Sequence, residues 1–322
     1  MSGPADLPGL TGLPGLPVPL AQRVRERQGD FLLFALTPPR RTTAPEKVAE
    51  IAGRTLARLA PLDLDGVLLY DIDDESDRTD QERPFPFLPT LDPADYLRDH
   101  LGAAGLPAVV YRAVGKYAPD ELGAWAAAQD PTDVLSVFVG SASRDTPVRT
   151  TLPAAHALRT EAAPDLLVGG VAIPERHTRR GDEHLRMLAK QASGCGFFVT
   201  QVVYDVNAAK NLVSDYRYAC LEQGVEPVPV VFTFSVVGGV RTLEFLRWLG
   251  VDVPRWIAND LTHAHDPLQA SHEHSAAAAR ELLAYAHASG VPVGLSVESV
   301  SARRVEIEQS VALAHELRSL LG

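Results

Sequence analysis

This chain has few lysines, few cysteines and no long apolar runs. These features argue against Schiff-base chemistry, a structural zinc site and a membrane-spanning helix. Lysine and arginine together number 30, of which only four are lysines, so a Schiff base has few candidate amines. The two cysteines, Cys195 and Cys220, form no C-x-x-C pair and are too few for a structural zinc site. No stretch reaches the ~18–20 consecutive apolar residues that a membrane-spanning helix needs.

Positive charge is also in short supply. Aspartate and glutamate number 41 against the 30 basic residues, which gives a net charge of −11 over 322 residues. Because neutralising phosphates requires a basic surface, a nucleic-acid partner is not expected. The composition, 46% apolar and 22% charged, is typical of a globular protein, and the length fits one large domain or two ordinary ones.

Residues 1–30 differ from the rest of the chain. Proline, glycine and leucine recur over residues 7–19, and the prolines disrupt helix formation. No basic segment precedes this run, so a secretory signal is not expected. We therefore predict a flexible tail over residues 1–30 and a folded domain over residues 31–322, in a cytoplasmic protein.

From residue 31 onward, short apolar runs alternate with longer segments of helical period. Eight such strands, each followed by a helix, predict an α/β fold of the (β/α)₈ barrel type. An open doubly wound sheet is the alternative, but no strand is followed by G-x-G-x-x-G or by a P-loop. The predicted strands are Phe31–Leu36, Gly66–Tyr70, Ala108–Tyr111, Val134–Val139, Leu166–Ala172, Phe197–Val203, Val228–Phe232 and Val293–Val297.

In such a barrel the functional side chains follow the carboxyl ends of the strands. Those positions hold Asp71, Ser141, His177, Gln201 and Glu298, so acids and amides dominate and no lysine ends a strand. A buried glutamine must find hydrogen-bond partners, and its donor and acceptor together suit an amide-like heterocycle such as a pterin. A core amide that the protein itself satisfies is the alternative.

Two polar segments contain possible metal ligands, and neither has the pattern of a metal site. The acidic loop Asp71–Asp77 lacks the glycine and terminal glutamate of a calcium loop, so it is either a solvated loop or supplies a substrate-facing acid at Asp71 or Asp73. The histidines between His263 and His274 follow no strand end, and we interpret them as part of a polar connection. No metal is expected.

The second half of the chain carries three motifs in a specific order. They are P-E-x-H at Pro174–His177, T-Q-x-x-[FY]-D at Thr200–Asp205, and P-x-W at Pro254–Trp256. In this order and spacing they resemble the methylenetetrahydrofolate reductase family. Pro38–Arg40 and Glu75–Thr79 are similar to that family's P-P-R and E-R-D-R-T segments.

The resemblance implies a (β/α)₈ barrel that binds a folate and usually carries FAD. In that family NAD(P)H reduces the flavin, which then reduces 5,10-methylenetetrahydrofolate to 5-methyltetrahydrofolate. The site residues that the resemblance implies are Gln201, Tyr204 and Ser141 for the substrate, and His177, Lys190, Ile173 and Gly140 for the cofactor.

The chain departs from the family pattern at positions that carry chemistry. The family's first strand ends F-E-F-F-P-P-R, and its Glu is the general acid that opens the imidazolidine ring, whereas this chain has Ala35 there. The family's R-G-D after strand four reads Val139-Gly140-Ser141. Proton transfer of this kind is worth roughly 10²–10⁴-fold in rate, so either the acid has moved or the reaction no longer needs one.

Two carboxylates are candidates for a moved acid. Glu298 ends strand eight, which flanks strand one in a closed barrel, and Asp71 ends strand two. A carboxyl group that a bound pterin desolvates can have its pKa raised enough to donate a proton. We therefore predict Glu298 and Asp71 as the catalytic residues.

The sequence thus predicts a folate one-carbon oxidoreductase of methylenetetrahydrofolate reductase type. NAD(P)H would be the reductant, either through FAD or by direct hydride transfer. The alternatives are a non-redox barrel that transfers a methyl or methylene group of a folate, and a catalytically silent folate-binding homologue, which Ala35 motivates. A small-molecule folate is the expected partner, and neither a nucleic acid nor a membrane is.

Overall fold

The computed structural model describes residues 18–72, 84, 89–140 and 147–321. Eight parallel strands close into a barrel in chain order, with β1 paired to both β2 and β8. The predicted (β/α)₈ barrel is confirmed, and the open sheet is excluded. The strands are β1 (Leu32–Leu36), β2 (Gly66–Leu69), β3 (Ala108–Ala113), β4 (Val134–Val139), β5 (Val168–Ala172), β6 (Cys195–Val202), β7 (Val230–Ser235) and β8 (Val293–Glu298).

Helices cover the outside of the barrel and one end of it. They are α1 (Leu20–Arg25), α2 (Pro45–Leu59), α3 (Pro93–Tyr96), α4 (Pro119–Ala127), α5 (Leu152–Ala162), α6 (Pro174–Arg180), α7 (Glu183–Ala192), α8 (Val206–Gln223), α9 (Val240–Trp248), α10 (Arg255–His263), α11 (Pro267–Ser289) and α12 (Arg304–Arg318). Single turns of other helix types occupy Leu97–Leu101, Gly102–Ala104 and Val114–Lys116. None of the helices in the described ranges is long and apolar enough to cross a membrane.

Alternation along each strand divides the core into two parts. On β1, Leu32 and Phe34 pack against the helices, whereas Leu33 and Ala35 face the barrel interior. Successive side chains of a strand point to opposite faces, and here both faces are covered. The strands therefore consist of nearly continuous apolar residues.

Aromatic rings fill the interior where neighbouring strands carry glycine. A Cβ placed on Gly169 of β5 would lie 2.7 Å from the ring of Phe197, and one placed on Gly294 of β8 would overlap the ring of Phe31. Glycine at these two positions makes room for the rings. The interior is consequently a packed core rather than a pore, and the space for function lies at the mouth.

Helix α1 closes the barrel at the amino ends of the strands. Leu20 and Val24 are buried among the interior residues. The guanidinium of Arg25 donates to the carbonyl oxygens of Pro131 and Asp165, which precede β4 and β5, at 2.9 and 3.1 Å. This short helix thus caps the core that the strands enclose.

The folded part of the chain therefore begins earlier than the sequence predicts. The expected flexible tail over residues 1–30 is wrong for residues 18–30, because the apolar side chains of α1 cover the interior core. Residues 1–17 lie outside the described residues.

Candidate active site at the barrel mouth

Glu298 is the last residue of β8 and lies beside the position where the resemblance expects an acid. It is the register partner of Ala35 on β1 and of Ser235 on β7, so the three residues lie at one level of the barrel. Glu298 is buried, with 9% of its surface exposed. The carboxyl group missing at Ala35 is thus present one strand away.

The surroundings of Glu298 favour its neutral form. Burial raises the pKa of Glu298 to about 7, and a hydrogen bond from Tyr70 opposes this rise. Desolvation and the nearby Glu298 charge raise the pKa of both Tyr70 and Tyr111 above the ordinary tyrosine value. The two tyrosine rings meet edge to face with their centroids 5.0 Å apart. A protonated Glu298 near neutral pH is suited to donating a proton.

Two buried hydroxyl groups accompany Glu298. Ser235 is its register partner, and Ser296 precedes it by two residues on β8. Among the described residues neither Oγ has a hydrogen-bond partner, although buried hydroxyl groups are usually bonded. Together with Glu298 they form a polar patch on β7 and β8 with unused hydrogen-bonding capacity. The sequence does not reveal Ser235, because the predicted seventh strand stops at Phe232.

Asp71 does not join Glu298 as a second acid. Its carboxylate accepts hydrogen bonds from the Ala113 backbone N–H at 2.8 Å, from Lys116 Nζ at 2.5 Å and from the Tyr117 hydroxyl at 2.8 Å. The Asp71 side chain is 1% exposed. Asp71 thus anchors the segment after β3, and both of its carboxylate oxygens accept hydrogen bonds from these donors, while its catalytic role stays a prediction. Asp73 lies outside the described residues.

The Gln201 side chain uses part of its hydrogen-bonding capacity within the protein. It is half-buried on β6, and its Nε2 donates to the carbonyl oxygen of Leu249 at 2.7 Å. No further hydrogen bond of this side chain is found in the part of the chain that the structure describes. One amide N–H is thus committed to the protein, while the oxygen and the second N–H remain candidates for a ligand.

Tyr204 belongs to the core rather than to the mouth. It is buried, and its hydroxyl lies 2.9 Å from both the Ser235 carbonyl oxygen, to which it donates, and Ser271 Oγ. The Tyr204 hydroxyl is thus engaged by the protein, and its role in binding the substrate stays a prediction. Ser141, the third predicted substrate residue, lies outside the described residues.

Two of the residues expected to hold a cofactor, Lys190 and His177, face the helix layer. Lys190 donates to the Val171 carbonyl oxygen at 2.5 Å, and its side chain packs on Gly170 on the helix-facing side of β5. Burial lowers the pKa of this lysine. His177 Nε2 lies 2.9 Å from Asp215 Oδ2 on α8. Both side chains are thus engaged by the protein, and their contacts with a cofactor stay a prediction.

The two remaining positions add little to a cofactor site. The Ile173 backbone N–H donates to Glu183 Oε1 at 3.2 Å, which ties the start of α6 to α7. Gly140 is exposed at the end of β4.

The closed barrel places this chain in the class of (β/α)₈ proteins, in which functional sites lie at the carboxyl ends of the strands. Within that class, the family model for methylenetetrahydrofolate reductase matches residues 148–296. A solved structure, described as an uncharacterized protein from Clostridium thermocellum that binds two copies of 5-methyl-5,6,7,8-tetrahydrofolic acid, is 40% identical with a TM-score of 0.83. That alignment covers 93% of this chain and 99% of the other. The chain belongs to the methylenetetrahydrofolate reductase family, as its motifs predict.

More distant structures share only the fold. A complex of a GH113 β-1,4-mannanase is 9% identical with a TM-score of 0.51, and the alignment covers 91% of this chain and 99% of that one. No match is found among the curated proteins.

Proposed function

We propose that the barrel mouth binds a reduced folate and that Glu298 is the proton donor for reduction of 5,10-methylenetetrahydrofolate. The register pair of Ala35 and Glu298 carries this proposal, since it puts a buried carboxyl one strand away from the family's acid. The relative from Clostridium thermocellum is described as binding 5-methyltetrahydrofolate, which is the product of the proposed reaction.

The chemistry of Glu298 follows from its surroundings. Its raised pKa keeps a proton on the carboxyl group near neutral pH, and this proton passes to the folate nitrogen that leaves as the imidazolidine C–N bond breaks. The methylene carbon, now an iminium ion, accepts a hydride and becomes the methyl group. The Tyr70 hydroxyl then donates to the carboxylate that remains on Glu298.

We propose NAD(P)H as the hydride donor, without FAD. This is supported by the two side chains expected to contact a flavin, because Lys190 and His177 contact β5 and α8 instead. Direct transfer needs only that the donor and the folate lie together at the mouth.

A folate-binding barrel that does not reduce its ligand is the second candidate. The absence of the family's acid at Ala35 favours it, and so does the description of the relative, which mentions binding alone. Such a protein would either transfer the one-carbon group without redox chemistry or serve only to bind the folate.

The test combines a visible spectrum, folate binding and NAD(P)H oxidation on the purified protein. A flavin-free reductase is colourless, binds 5-methyltetrahydrofolate and oxidises NAD(P)H only when 5,10-methylenetetrahydrofolate is added. Glu298→Gln should lower kcat by roughly 10²–10⁴-fold and retain binding. Glu222→Gln, at an exposed position on α8, is the matched control and should behave as the wild type.

Each other outcome contradicts part of the proposal. Stoichiometric flavin in the purified protein would overturn the flavin-free mechanism. Folate binding with no NAD(P)H oxidation would favour the second candidate. Absence of folate binding would contradict both.

A further inference from the structure

His177, His184 and Asp215 meet outside the barrel wall, where α6, α7 and α8 contact one another. One ring nitrogen from each histidine and one carboxylate oxygen lie within 4.8 Å of one another. The two imidazole rings meet edge to face with their centroids 5.2 Å apart. Three metal-ligating side chains from three helices thus converge on one point, in the helix layer rather than at the mouth.

The two rings have nitrogen atoms without a partner. Nδ1 of His177 and Nδ1 of His184 are buried, and neither forms a hydrogen bond within the described ranges. A buried ring nitrogen is normally satisfied, and one without a proton offers a lone pair to a metal ion. The His177 side chain is 5% exposed, whereas that of Asp215 is 53% exposed. The cluster is therefore closed on the protein side and open to solvent at the carboxylate.

Two neighbouring arginines are paired with acids. Arg176 pairs with the buried Glu183 at 2.9 Å, and Arg186 pairs with Asp182 at 3.3 Å. Each of these arginines already has an acidic partner on α7 or beside it. Asp215 is in contact with His177 Nε2 at 2.9 Å rather than with either of these arginines.

We propose that His177, His184 and Asp215 bind a divalent first-row transition-metal ion of the Zn²⁺ class. Two imidazoles and one carboxylate are typical ligands of such ions in sites that leave a coordination position open, which water can take at the exposed side. Mg²⁺ and Ca²⁺ prefer oxygen ligands throughout and are not expected. The ion would link α6, α7 and α8.

The test is a metal titration of the full chain after treatment with a chelator. Zn²⁺ is added in competition with a chromogenic chelator, and Co²⁺ binding is followed by its visible absorption. We expect one equivalent of either ion to bind and Mg²⁺ not to compete. His184→Ala and Asp215→Asn should each weaken Zn²⁺ binding by more than about 10-fold, since loss of even an outer-shell partner costs roughly 10- to 100-fold.

His274→Ala is the matched control, because His274 is a partly exposed histidine near a carboxylate, 3.7 Å from Asp260, outside the cluster. It should leave Zn²⁺ affinity unchanged. Zn²⁺ should raise the Tm of the wild type and of this control but not of the two cluster variants, whose circular dichroism should match the wild type. Equal Zn²⁺ affinity in all four proteins, or none in the wild type, would overturn the proposal. Binding of 5-methyltetrahydrofolate, measured in parallel, reports separately on the mouth.

Discussion

Glu298 is held where ionisation is costly, so its protonation state depends on pH near neutrality. The folded chain keeps its proton up to a pKa of about 7, whereas the ordinary value is 4.5. Between these values the folded state binds more protons than the unfolded state, and stability therefore falls as pH rises from about 4.5 through 7. The raised pKa thus keeps a proton on Glu298 near neutral pH at the expense of stability in alkaline solution.

Replacing Glu298 by glutamine tests this linkage. Urea unfolding of the wild type should show a free energy of unfolding that declines between pH 5 and 8, at about 1.4 kcal/mol for each pKa unit by which the carboxyl is raised. Glu298→Gln should remove most of that decline, and kcat/KM of the wild type should fall as pH rises through about 7. Glu222→Gln should retain the wild-type slope. Parallel stability profiles for wild type and Glu298→Gln would show that this carboxyl does not titrate as described.

For single residues, the sequence predicts where a side chain lies in the barrel better than which groups it contacts. The closed barrel makes strands one and eight neighbours, which is why Glu298 could be matched to Ala35 before any coordinates. The hydrogen bonds of Asp71 could not be predicted, since Lys116 lies 45 residues away and no local pattern indicates that the two side chains meet. The hydrogen bond of Tyr70 to Glu298 likewise depends on side-chain geometry across strands.

Among the helices and strands, α1 shows that a short helix can be part of the barrel's interior core. Its apolar side chains cover the interior core at the amino ends of the strands, and the Leu20 Cδ2 atom lies 3.0 Å from where a Cβ on Gly66 would be. Leu20→Ala should lower the free energy of unfolding by about 2–5 kcal/mol, the range for large-to-small changes in a core. Urea denaturation measures this, with exposed Gln22→Ala on the same helix as control. A loss below that of the control would show that α1 is not part of the cooperative core.

The elements that sequence patterns miss are short or polar. Helix α1 has six residues, too few for a clear helical period, and Pro19 lies directly before its start. The predicted seventh strand stops at Phe232 because Thr233 and Ser235 are polar, but β7 continues to Ser235. These polar residues lie inside the barrel, where the Thr233 hydroxyl donates to the Thr200 carbonyl oxygen at 3.0 Å. The histidine–aspartate cluster spans α6, α7 and α8, so no single stretch of sequence displays it.

For the molecule as a whole, the net charge of −11 bears on how an anionic ligand arrives. A reduced folate ends in a glutamate, so its tail is negative and the chain repels it at long range. This repulsion extends roughly 30 Å at 0.01 M salt but only about 10 Å at 0.1 M. The association rate constant should therefore rise with ionic strength, the opposite of the behaviour expected for a basic mouth.

Stopped-flow tryptophan fluorescence can measure this rate, since the chain has three tryptophans. A reduced pterin without the glutamate tail is the control ligand, and its association rate constant should be nearly independent of salt. A rate for 5-methyltetrahydrofolate that falls with salt would mean that arginines near the mouth outweigh the global charge and guide the tail. Because screening acts on the approach more than on the packed complex, the dissociation rate constant should change less than the association rate constant.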